Sequence, residues 1–350
     1  QFFKLYKSVS SLSKYFFKGI KKLREVFMKK LLFIGYSSEI RTKQSGYEHI
    51  VDLKSQAYST DYLDAARLPF GFIPCGSRGK RLNLYFLELI GHFKSKKYDL
   101  IHNFYCDQPA LFKLPKERNY KAVATTHLNY HNFSKHQIKI LRSYDVVICL
   151  NSEEEKFLKN LNINAKFIPH GFYKPNFKLN QTIFDAYREK INICFAGVCY
   201  RDYKTLGFFI SNAQQRLDIQ VHLLGQKKAE KEFFSKFKNV KVYDFLSDDD
   251  YYSVLSLCDY NFLPLTFATA NNTLLEAQFL GVESILPKME GLCDYASAVH
   301  NIFYSDNTEL LEIIKRLHKN KKNKELETYS AKFSWNSIFD ETIRIYDSLF

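Results

Sequence analysis

The chain has no pair of cysteines two residues apart, no GxGxxG and no unbroken apolar run of 18 residues. The first absence removes the zinc-ribbon and thioredoxin-type classes. The second removes the usual dinucleotide fingerprint, and the third a transmembrane helix. Glycine and proline are sparse, 13 and 8 in 350 residues, against 32 Phe and 24 Tyr. That is the profile of a globular chain and not of a disordered or collagenous one. The seven cysteines are Cys75, Cys106, Cys149, Cys194, Cys199, Cys258 and Cys293. Several fall inside apolar runs such as VVICL and INICFAG, as buried reduced thiols of a cytoplasmic protein do. The opening segment lacks a clean apolar core and a small-residue cleavage site, so no secretory signal is expected.

What is present in excess is positive charge, +14 overall. It favours polyanionic surroundings: nucleic acid, anionic lipid or phosphorylated substrates. Nucleic acid is disfavoured, because the basic residues are dispersed and no RNA- or DNA-reading motif occurs. Residues 1–27 place Phe2, Leu5, Val9, Leu12, Phe16, Ile20, Leu23 and Phe27 at helical spacing. Lys4, Lys7, Lys14, Lys18, Lys21, Lys22 and Arg24 lie between them, against Glu25 alone. Such a cationic amphipathic helix suits an anionic membrane surface, or packs onto the rest of the chain.

From Met28 strands alternate with helices. KLLFIG (30–35) is a strand, followed by a polar loop with Arg41, Lys43, Ser45 and Gly46, which is either a phosphate-facing glycine loop or a plain turn. A helix over 81–94 precedes strands at 98–103, 121–126 and 144–150. Ser152-x-x-Glu155 reads as a capping box, and AKFIPHG (165–171) closes the half. Residues 173–190 are polar and read as a linker. INICFAG (191–197) then opens a second series, with strands at 219–225 and 239–246. This alternation predicts mostly parallel, doubly wound sheets. Asp248–Asp250 precede an apolar-periodic stretch and read as first-turn acids of a helix, not as metal ligands. His127 with His131 and His136 offers a metal set, and a structural histidine is the other reading of His127 from the residues alone.

Two stretches carry chemistry. After the strand ending at Gly197 come Arg201 and Lys204, two cations at the opening of a helix behind a glycine turn, where a diphosphate can be held; a solvated pair is the alternative. Residues 258–287 read as strand, polar loop, helix from about Asn272 to Leu280, a stop at Gly281, and strand 283–286. The amides of Asn272 and Thr273 would face a ligand at the carboxyl edge of a sheet, and Glu276 a sugar hydroxyl. Thr273-x-x-Glu276 fits a capping box equally well, with no ligand at all.

The segment 258–287 resembles the signature of family 4 ("group 1") glycosyltransferases of the GT-B fold. Leu274, Leu275, Glu276, Ala277, Gly281 and Pro287 match it, and Asn271-Asn272-Thr273 is similar to the Asn-Asn-Thr variant of the Glu-x7-Glu motif. Ala268 stands where most members have the first glutamate. "TTH", "YDVVICLNSEEEKFL", "IPHG", "GVCYRDYKTL" and the tryptophan-bearing terminal stretch resemble other parts of the same family.

The resemblance implies an α/β GT-B architecture, two Rossmann-like domains facing a cleft. It divides the chain into a basic N-terminal helix (1–27), an acceptor domain (28–172), a linker (173–190), a nucleotide-sugar domain (191–334) and a C-terminal helix crossing back to the first domain (335–350). It implies a retaining, metal-independent transfer from a nucleoside-diphosphate sugar to a glycan or lipid-linked acceptor of the bacterial cell envelope, at the inner face of the cytoplasmic membrane, with no cofactor. His127, Arg201 and Lys204 take the catalytic roles; Gly46, Gly197, Asn271, Asn272, Thr273 and Glu276 hold the donor. A nucleotide-sugar epimerase of the same fold and a non-catalytic binding module remain as alternatives.

Overall fold

The computed structural model describes residues 28–37, 44, 46–68, 78–107 and 113–350. The amphipathic segment 1–27, with Arg41, Lys43 and Ser45, lies outside the described residues.

Two six-stranded sheets, each parallel throughout, form the framework. The first contains β1 (Lys29–Gly35), β2 (Tyr58–Asp64), β3 (Leu100–Asn103), β4 (Lys121–Thr125), β5 (Val146–Cys149) and β6 (Ala165–Phe167), in the order β2-β1-β3-β4-β5-β6. The second contains β7 (Ile191–Ala196), β8 (Ile219–Leu224), β9 (Val240–Val242), β10 (Tyr260–Phe262), β11 (Glu283–Pro287) and β12 (Ile302–Tyr304), in the order β12-β11-β10-β7-β8-β9. The central strands are buried along their whole length, as VVIC and INICFA are. Helices cover both faces of such sheets, so a run with no polar alternation is the expected strand pattern.

The strand order reverses between β1 and β3 in the first sheet and between β7 and β10 in the second. Parallel sheets open a crevice at the carboxyl end of such a switch point. Gly35 and Asn103 end the strands there in the first sheet, and Ala196 and Phe262 in the second.

The helices are α1 (Arg78–Ser95), α2 (Lys135–Leu141), α3 (Ser152–Asn160), α4 (Tyr203–Ala213), α5 (Lys228–Phe234), α6 (Asp248–Leu257), α7 (Asn272–Phe279), α8 (Glu290–Cys293), α9 (Asn307–Arg316), α10 (Lys324–Ser330) and α11 (Trp335–Asp347). The last returns to the first sheet. Tyr346 Oη lies 2.5 Å from His102 Nδ1 on β3, and Tyr58 of β2 donates to Asp347 at 2.8 Å. Trp335 is fully buried against Tyr47 and His170. Gly171 makes that packing possible, since a Cβ there would sit 2.3 Å from the indole. Phe172 and Ser334 form a parallel bridge, so the two passages of the chain between the halves run side by side.

Further bonds join the halves. Ser152 donates its amide and hydroxyl to Asp294 at 2.7 and 2.9 Å. Tyr295 donates to Leu150 O at 2.6 Å and accepts from the His170 amide at 2.9 Å. The 173–190 stretch is held to the first turn of α6: Lys178 and Asn180 donate to Asp249 and Asp250. Those aspartates are first-turn acids, with Ser247 as the N-cap.

Both capping-box expectations shift toward the N-terminus, by one residue from Ser152 and by two from Thr273. Asn151 caps α3 through the Glu154 amide, and Asn271 caps α7 through the Leu274 amide. Asparagine caps as well as serine or threonine does, and in each case it stands first. Thr273 and Glu276 are thereby free of the cap.

Candidate active site at the switch point of the second sheet

β7 ends at Ala196, and Gly197 turns the chain with φ +82°, a conformation that favours glycine. The loop folds back so that Arg201 pairs with Leu265 beyond β10. Its guanidinium donates Nε to Ala196 O at 2.8 Å, Nη1 to Cys199 O at 3.0 Å and Nη2 to Thr273 Oγ1 at 3.2 Å. A Cβ on residue 197 would lie 2.6 Å from Nη2, so the bare glycine face is what the guanidinium covers. The bonds fix the guanidinium as a rigid fork, with its remaining N–H groups available to a ligand. Burial pushes the Arg201 pKa below its ordinary value, and Tyr251, Cys199, Tyr203 and Glu276 push back.

Thr273 links Arg201 to the start of α7. With Asn271 capping through its side chain, the amides of Asn272 and Thr273 have no acceptor within the helix. They add the positive end of the helix dipole beside the guanidinium. Glu276 is buried, and its Oε2 accepts from Tyr251 Oη of α6 at 2.5 Å. Tyr251 is pushed well above the usual phenol range, first by burial and then by Glu276, so it stays a donor. The next residue, Tyr252, donates to Gln44 of the first half at 3.0 Å, a bond that joins the two halves beside Tyr251.

Gly197, Arg201, Asn271, Asn272, Thr273 and Glu276 are therefore one constellation. Lys204 stands apart: its amide is capped by Asp202 in the first turn of α4, and the residue is exposed. Gly46 has an extended conformation, φ −76°, and the Glu48 carboxyl fills the space beside it. Ala268 is buried with Leu265, Leu274 and Leu292. A carboxylate at that position would be taken out of water among apolar side chains, which is costly. The glutamate that most of the resembled family carries has no equivalent there.

On the opposite wall His127 follows β4. Its ring lies 4.6 Å from Tyr105 and 5.0 Å from Tyr47, centroid to centroid. Its amide and that of Leu128 both donate to Asp107 Oδ2 at 2.6 Å. The His131 ring lies tilted against Tyr130, centroids 4.2 Å apart, and no group of three or more His, Cys, Asp or Glu that could hold a metal occurs among the described residues. Behind this wall two carboxyls are buried. Burial raises Asp107 to about 6, against the two amide bonds. Burial also raises Glu154 to about 8, with Thr126 pulling down and Asp107 pushing up. Tyr251, Asp107 and Glu154 were not legible as site residues, because each meets its partners only through tertiary contacts.

No protein-family model and no curated protein matches the chain. Solved structures do. Sucrose-phosphate synthase from Thermosynechococcus elongatus superposes with a TM-score of 0.62 at 17% identity, over 91% of this chain and 88% of that one. HepE of Anabaena in complex with UDP gives 0.63 at 15% identity, over 91% and 100%. The lipopolysaccharide outer core galactosyltransferase WaaB gives 0.60 at 13%, over 92% and 100%. With two facing parallel sheets and these likenesses, the chain has the GT-B fold, two Rossmann-like domains with a cleft between their carboxyl edges.

Proposed function

We propose that the chain is a retaining glycosyltransferase that moves a sugar from a nucleoside-diphosphate sugar to a glycan or lipid-linked acceptor of a bacterial cell envelope. The observation that carries this reading is the guanidinium of Arg201, fixed between Gly197, two carbonyls and Thr273 at the start of α7. Fixed positive charge aimed at a departing diphosphate is the main device such a reaction needs. The guanidinium and the first amides of α7 supply it, so no step requires a metal. Glu276 takes the ribose hydroxyls and His127 faces the sugar. Lys204 adds charge from the rim. HepE, solved in complex with UDP, and WaaB, a galactosyltransferase, support the donor class.

No helix among the described residues is long and apolar enough to cross a membrane. Residues 1–27 would supply attachment to an anionic inner leaflet instead.

The test is incubation with UDP-, GDP- and ADP-sugars, with and without a glycan acceptor, followed by analysis of product and anomer. Transfer with retention is expected. Isomerisation of the donor alone would indicate an epimerase, and absence of donor binding a non-catalytic module.

A further inference from the structure

Tyr200 precedes Arg201 in the loop after β7, and its φ is +54°. Among the described residues the other non-glycine with positive φ is Asn162, a residue type that tolerates this region. Tyrosine has no such tolerance, so this conformation is strained and persists only where its surroundings impose it. They do. Tyr200 O accepts from the Thr266 amide at 2.9 Å and Thr266 Oγ1 at 3.3 Å, while the Asp202 amide donates to Pro264 O at 2.9 Å. The strain is not offset by burial, because Tyr200 is 51% exposed.

What the strain achieves is placement. The Tyr200 ring meets Phe267 edge to face, centroids 5.4 Å apart. Phe267 lies 6.5 Å from Tyr130 of the first domain, which packs on Phe157 at 5.2 Å. An aromatic rim thus crosses the mouth of the cleft. Arg201 turns inward to Gly197 and Thr273, whereas Tyr200 turns outward to Phe267, on the side of Tyr130 of the first domain. An exposed aromatic held by a strained backbone beside a site marks a ligand surface. The apolar face of a pyranose, whose C–H bonds carry partial positive charge, complements the negative face of such a ring.

We propose that the exposed ring of Tyr200, held edge to face by Phe267, is a stacking platform for the pyranose ring of the acceptor. The assignment of that ring to an acceptor rests on the transferase reading; the platform itself does not.

The experiment is saturation-transfer NMR of the full chain with methyl α-D-glucopyranoside and methyl β-D-galactopyranoside, with and without UDP, alongside calorimetry of UDP. Contact signals from at least one glycoside are expected in the wild type. They should fall at least fivefold in Tyr200→Ala and Phe267→Ala and persist in Tyr200→Phe, with UDP affinity changed less than twofold. Tyr200→Gly should lose the signal while raising Tm by a few degrees, because glycine adopts this φ freely. A merely structural tyrosine would not separate the two. No signal in the wild type, an undiminished signal in Tyr200→Ala, or a parallel loss of UDP affinity would overturn the proposal; the last would assign the ring to the donor. A Tyr200-dependent sugar signal in a chain that binds no UDP, GDP or ADP would keep the platform and remove the transferase reading.

Discussion

The two sheets have the same number of parallel strands and opposite chemistry at their carboxyl edges. In the second sheet the edge is built from a left-handed glycine, a pinned guanidinium and the free amides of a helix start. In the first it is shut by aromatic rings and underlain by two buried carboxyls, Asp107 and Glu154. Yet each sheet also buries one neutral histidine. His102 sits between Tyr346 and Thr125, and His222 between Tyr243 and Asn192. Burial lowers both to about 3. The shared histidines are interior joinery. The difference at the edges is what the proposed placing of a diphosphate in the second domain rests on.

The largest expected effect sharpens that assignment. Arg201→Ala and Glu276→Gln should each lower turnover by about 10²-fold at saturating acceptor, whereas Lys204→Ala should cost markedly less, because Lys204 lies outside the bonded constellation. Equal losses would dissolve the distinction between pinned and exposed cation. Next in size is Gly171→Ala, whose added Cβ meets the Trp335 indole that closes the first domain. Overpacking of this kind destabilises by about 1–3 kcal/mol in denaturant unfolding.

The buried carboxyls give a pH test. Both are raised above their unfolded values, so the stability tied to their protonated forms is complete near pH 4 and is lost as pH rises through about 6 for Asp107 and about 8 for Glu154. Glu154→Gln should therefore gain on the wild type between pH 5 and pH 9, by about 2 kcal/mol or more. A gap that does not widen would contradict the burial of an ionisable group there. The histidines act in the other direction: their contribution is complete above about pH 6.5 and is lost as pH falls toward 3. The smallest effects belong to the caps. Asn271→Ala and Asn151→Ala should each cost about 1 kcal/mol by thermal unfolding, and only the first should also weaken nucleotide binding.

Much of this was legible in the residues. The central strands of both sheets read as unbroken apolar runs because helices cover them on both faces. β2 did not, since YSTDYLD alternates polar and apolar positions at the sheet edge and is buried only in part. The stop at Gly281 was readable and has the expected positive φ, +68°. The caps lie one and two residues before the expected Ser152 and Thr273, because asparagine, serine and threonine compete for the same role at neighbouring positions. Spacing and resemblance single out Gly197, Arg201, Thr273 and Glu276, which the structure brings together, but the bond from Tyr251 to Glu276 spans 25 residues and has no local signal. Nor does local sequence reveal that Ala268 belongs to a core.

The central claim is that Arg201 and the start of α7 grip the second phosphate of a nucleotide. Calorimetry of UDP against UMP, GDP against GMP and ADP against AMP tests it in wild type and in Arg201→Ala. In the wild type the diphosphate of one pair should bind at least about tenfold more tightly than its monophosphate, roughly the worth of one charge-assisted contact, and the variant should erase that ratio. A ratio that survives the loss of Arg201 would contradict the account.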